Sequence, residues 1–162
     1  MTLIFASPGQ PHPHATTLCG TLQRDAQKRF PSVTTTTLFT SSLTASTPLP
    51  VSPHHHPHTI AVVPLHLTPG HEFSRLCNWL HQPNNLPTTI KIGTPLLSHH
   101  HATTTLFQAI ISAATPTLAP DEALIMIAHH SRHPQAADTY HQAAAIARAT
   151  SPHLFLGTHH NP

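Results

Sequence analysis

The stretch Asp121–Tyr140, DEALIMIAHHSRHPQAADTY, decides the fold. Within it, Ala123–Ala128 is a short, continuous apolar run with the length and pattern of a strand buried on both faces. The run ends abruptly in His129-His130-Ser131-Arg132-His133. Pro134 then suits the first turn of a helix, and Ala136–Ala149 is rich in strong helix formers. A buried strand that delivers polar side chains at its C-terminal end and turns into a helix is where open α/β sheets place their ligand sites.

Outward from this unit, strands and helices alternate. Thr2–Ala6 reads as a first strand and Ser7-Pro8-Gly9 as its turn. Pro11 and Pro13 hold the next residues extended, and Thr16 or Thr17 is positioned to cap a helix that runs to about Phe30. In that helix Leu18, Leu22, Ala26 and Phe30 recur every four residues as one apolar face. Val33–Phe39 is β-branched and strand-like. Residues 44–58 contain PLPVSPHHHPH, whose closely spaced prolines exclude a regular helix and predict a surface loop. Ile60–Leu67 is a second buried strand, followed by a helix from His71 to about His81. Thr89–Ile92, a helix over Ala102–Ala114, and a last strand at His153–Leu156 complete the pattern. Such alternation predicts an α/β fold: one domain over residues 1–162, with a mostly parallel sheet flanked by helices on both faces. No internal repeat and no phosphate-binding glycine loop stands out.

Composition narrows the function classes. Of 162 residues only 7% are charged, while histidine (19) and proline (18) are over-used. Skewed nucleotide composition would by itself yield such a profile, so the histidine excess as a whole is not evidence of chemistry. The net charge of +2 and the few, dispersed Lys and Arg residues argue against a nucleic-acid partner. Cys19 and Cys77 are too few and too far apart for a disulfide framework or a thiolate metal site. No apolar run approaches the ~20 residues of a membrane span. The start, MTLIFASPGQ, lacks the basic region of a signal peptide, so a cytoplasmic protein is expected.

Five segments stand in a telling order: FPSVTTTTLFTSSL (Phe30–Leu43), VVPLHLTPGHEF (Val62–Phe73), GTPLL (Gly93–Leu97), IMIAHHSRHP (Ile125–Pro134) and LGTHHNP (Leu156–Pro162). Together with ASPGQ at Ala6–Gln10, they resemble the anaerobic cobalt chelatases, which insert Co²⁺ into sirohydrochlorin during cobalamin synthesis. The resemblance implies a chelatase-like α/β fold built of two similar halves with the site in the cleft between them. It also implies that the C-terminal half of the family fold is incomplete here.

Carried over position by position, His129 falls on the histidine of the family's Gly-His-Gly metal-binding motif, with Ala128 and His130 replacing both glycines. Glu72 falls on the glutamate of a His-x-x-x-Gly-x-Glu stretch that faces the tetrapyrrole, and His66 is that stretch's histidine. The family's Gly-Thr-Val-Glu supplies a ligand carboxylate; here it reads GTHH, placing His160 in that role. The resemblance therefore implies His129 and His160 as metal ligands, with His129 and Glu72 as catalytic residues. It implies a second metal-binding histidine beyond Pro162, and hence a homodimer or a separate C-terminal partner to complete the cleft.

Neutral imidazole suits Co²⁺, and also Ni²⁺ or Fe²⁺, as a borderline ligand that holds without trapping. A nearby carboxylate can take the pyrrole protons that metal insertion releases. Glu72 also complements the start of its helix electrostatically. His66 reads as a satisfied histidine inside its strand. The runs His54–His56 with His58, and His99–His101, lie in consecutive positions that converge poorly on one ion. Two alternatives stay open: a histidine-rich metal-sequestering protein on a chelatase scaffold, and an inactive remnant of the fold.

Overall fold

The computed structural model describes residues 1–50, 59–82, 89–119, 121–129 and 131–159. The chain divides into two units. The first comprises Met1–His66 with His71–Pro95, and the second Leu67–Gly70 with Leu96–Pro162. No helix among the described residues is long and apolar enough to cross a membrane.

In the first unit, strands β1 (Thr2–Ser7), β2 (Thr34–Phe39), β3 (Thr59–Pro64) and β4 (Thr89–Ile92) form one parallel sheet in the order β2-β1-β3-β4. Helix α1 (Pro13–Arg29) connects β1 to β2, and α2 (His71–Leu80) connects β3 to β4. Ile4, Leu38, Ile60 and Val62 of the strands pack with Leu76 and Trp79 of α2 as the core. From β1 the chain moves outward to β2 and then returns across β1 to β3, which makes the C-terminal ends of β1 and β3 a topological switch point. Gly9, at φ +72, makes the sharp turn after β1 that a side chain would resist. Its carbonyl accepts from the Ser41 backbone N–H (3.3 Å) and from Ser41 Oγ (2.6 Å), tying the exits of β1 and β2 together.

The second unit holds α3 (His100–Ala114), β5 (Leu124–His129), α4 (Pro134–Thr150) and β6 (Leu154–His159). β5 and β6 form a separate two-stranded parallel sheet. Leu97, Phe107 of α3, Ala143 and Ala147 of α4, and Leu154 of β6 form its core, with Leu124, Met126 and Leu156 against it. The alanines of α4 let its backbone approach the sheet closely.

The α/β class and the parallel pairing are as the sequence predicts, and several boundaries and covered faces are not. α1 begins at Pro13 and is capped by His12, whose Nδ1 accepts from the Ala15 N–H at 3.4 Å. Pro13 thus starts the helix instead of delaying it, because the first helical position needs no N–H. Thr17 Oγ1 bonds back to the Pro13 carbonyl, so it does not cap. Leu18 and Phe30 are exposed, and Cys19 is the buried residue of α1. β3 ends at Pro64, and His66 lies beyond the strand. α3 starts two residues earlier than expected, at His100. β6 runs on through His159, so Gly157-Thr158-His159 belongs to the strand.

The focal strand itself differs most. β5 is not buried on both faces: Ile125 and Ile127 are 66% and 74% exposed, beside Phe155 of β6 at 46%. Helices cover the face carrying Leu124 and Met126. Among the described residues nothing comparable covers the other. Residues 44–50 carry neither helix nor strand, and the rest of the expected loop, 51–58, lies outside the described residues.

Candidate functional site

Polar side chains gather at the C-terminal ends of the first unit's strands. Thr40 directly follows β2 and is fully buried. Its Oγ1 donates to Oε2 of Glu72 at 2.5 Å, a short bond of the kind a hydroxyl makes to a carboxylate. Glu72 lies in the first turn of α2, where the N-terminal peptide dipoles favour its negative charge. One oxygen of a half-buried carboxylate is therefore held by a buried hydroxyl. Arg75, one turn on, donates Nη2 to the Leu43 carbonyl at 2.8 Å and helps anchor α2 over the β2 exit.

His66 is buried beside this pair, its ring edge-on to Phe73 at 5.9 Å between centroids. Neither ring nitrogen has a hydrogen-bond partner among the described residues. Burial pushes the imidazole below its ordinary pKa, against the opposing pull of the Glu72 carboxylate. The ring is accordingly neutral at pH 7. The expectation of a satisfied strand histidine is overturned: His66 lies past the end of β3 at Pro64, and its ring is unsatisfied among the described residues.

In the second unit, His129 is the last residue of β5 and is exposed. β5 and β6 pair in parallel so that Ile125 meets Phe155, Ile127 meets Gly157 and His129 meets His159. The second imidazole in register with His129 is thus His159. His160, which the resemblance implies as a ligand, lies outside the described residues. The alternation of the last strand was the available signal, and ending that strand at Leu156 hid it. After β5, Ser131 Oγ accepts from the His133 backbone N–H at 3.2 Å, and Pro134 opens α4 as expected. Gly70 packs against this corner, where an added Cβ would lie 3.7 Å from both Ala136 Cβ and Ser131 Oγ.

Among the described residues the His99–His101 run joins no metal-holding group. His99 to His101 sit at the start of α3, where His99 makes no side-chain cap bond and His100 Nδ1 meets Thr104 Oγ1 at 3.5 Å. His54–His56 and His58 lie outside the described residues. Among the described residues no group of three or more His, Cys, Asp or Glu is placed to hold a metal ion.

The family profile described as "Cobalt chelatase (CbiK)" matches residues 54–160, which include Glu72, His129 and His159. The chain belongs to the cobalt chelatase (CbiK) family. A curated relative, the sirohydrochlorin cobaltochelatase CbiKC of Nitratidesulfovibrio vulgaris (strain Hildenborough), is 31% identical over 101 residues, or 61% of this chain. The chain spans 36% of that relative's length. The family match includes Glu72 and His66 of the first unit and His129 and His159 of the second.

Proposed function

We propose that this chain inserts Co²⁺ into sirohydrochlorin, the reaction named for its curated relative. The observation that carries the reading is that one continuous family match contains two chemically different groups at strand exits. One is a half-buried carboxylate, Glu72, steadied by Thr40. The other is an exposed imidazole, His129.

Insertion forms metal–nitrogen bonds to the ring and releases two pyrrole protons. His129 presents a borderline imidazole nitrogen to the incoming ion, and its exposure leaves the ion's remaining positions open to macrocycle nitrogens. Glu72 accepts one pyrrole proton through its carboxylate, and the other leaves to solvent. Thr40 fixes one oxygen, so proton transfer needs little rearrangement of the acceptor. His66, neutral and behind Glu72, adds no competing positive charge. His160 remains the position to which the family's ligand carboxylate maps.

The test is the absorbance spectrum of sirohydrochlorin with Co²⁺, recorded with and without the full chain. A faster appearance of the metallated spectrum supports the reading. An unchanged rate beside tight multi-site Co²⁺ binding points instead to metal sequestration. No acceleration and no defined binding points to a remnant of the fold.

A further inference from the structure

We propose that His159 is a second metal-holding residue, forming with His129 a two-imidazole site across the β5–β6 pair. It rests on reading His129 as metal-directed, and it adds a residue that the resemblance does not supply.

The register carries the argument. Side chains two residues apart share a face of a strand, and parallel neighbours in register point the same way. Ile125, Ile127 and His129 therefore share the face of Phe155, Gly157 and His159, opposite the face packed by α3 and α4. Neighbouring strands lie about 4.8 Å apart. Metal–imidazole bonds of about 2.0–2.1 Å place two ligand nitrogens on one ion roughly 3 Å apart, a convergence two adjacent histidines reach by modest χ rotation. Both histidines are exposed, so neither needs an expelled neighbour to bind.

Gly157 makes the approach possible. It stands one pair back on the same face, and a Cβ built there would meet nothing within 4 Å. The space at this position beside Ile127 is therefore open. Behind it, Ile125, Ile127 and Phe155 make an apolar floor. Two nitrogen ligands with open remaining positions hold a divalent first-row ion without enclosing it, which suits an ion that must be handed on.

The experiment is a double-mutant cycle on the full chain: His129→Ala, His159→Ala and both together, with Co²⁺ alone as the probe. Affinity is read by competition with a chromophoric chelator at pH 7.5. His153→Ala, an exposed histidine at the other end of β6, is the control, and circular dichroism checks the fold. Replacing even outer-shell partners of metal ligands costs about 10–100-fold, so each single change is expected to weaken binding at least about tenfold. The double variant is expected to bind no worse than either single one, because the two residues share one ion. The remaining histidines contribute equally to every variant and cancel. Parent-like binding by His159→Ala, or losses that multiply, overturns the proposal, as does a loss reproduced by His160→Ala alone. Sirohydrochlorin insertion measured in the same samples separates the two claims. A non-additive cycle without insertion removes the chelatase reading and keeps the histidine pair. Insertion with parent-like Co²⁺ binding by His159→Ala does the reverse.

Discussion

β3 and β5 are both six-residue, mostly apolar parallel strands, TIAVVP and LIMIAH, and they have different fates. β3 lies between β1 and β4, and every second residue of it is buried, with the others half-buried. β5 has β6 as its neighbour, and every second residue of it is exposed. An apolar run records what a strand tolerates, whereas burial depends on how many layers the rest of the chain lays over it. The polar groups differ in parallel. Those of the first unit, Thr40 and His66, are buried and Glu72 is half-buried, while His129 and His159 of the second stand in solvent. The first arrangement suits a fixed proton acceptor, and the second suits a ligand pair that must meet and release an ion.

The contrast is most easily broken with one residue type. Ile60→Ala removes a fully buried side chain and is expected to cost about 2–5 kcal/mol in urea unfolding. Ile127→Ala, cut from the exposed face, is expected to stay within about 0.5 kcal/mol. Equal losses would mean that the β5 face is covered in solution and that the two strands do not differ.

The proposed division of chemical labour gives the next two effects. Glu72→Gln keeps the shape and removes the basic oxygen, so insertion is expected to slow by about a hundredfold, the lower reach of general-base catalysis. Co²⁺ affinity should be unchanged; a collapse of affinity would move Glu72 into the set of metal ligands. His129→Ala is expected to lower both Co²⁺ binding and insertion at least about tenfold. Replacing His54, His55 and His56 together should leave both near the parent's. If the triple variant lost as much as His129→Ala, the metal would be held by histidine abundance and not by a defined site.

The smallest effect concerns His66. Its folded-state pKa is lowered, so below its ordinary value near 6.5 the unfolded chain binds more protons than the folded one. The stability from keeping the ring neutral is present above that pH and is lost as pH falls through the lowered value. His66→Leu removes both orphaned nitrogens and is expected to flatten this part of the stability curve, read by urea titrations from pH 7.5 downward. An undiminished slope would show that the ring has found a proton partner.

Much of the local structure around the candidate residues was legible in the sequence. The strand–histidine–proline–helix order around His129 follows from propensity and from proline's suitability at a helix start. Glu72 in the first turn of its helix is equally local. What lay beyond the sequence was every feature that depends on a neighbour. Sequence spacing places Thr40 thirty-two residues from Glu72, and only the return of β3 beside β1 brings their ends together. Burial of His66 without a partner follows from where the chain goes after Pro64. The bare face of β5 depends on the layers around it, and the pairing of His159 with His129 depends on strand register. A chain's local preferences select strands and helices, but which side chains face one another is settled by pairing and layering, which no single stretch encodes.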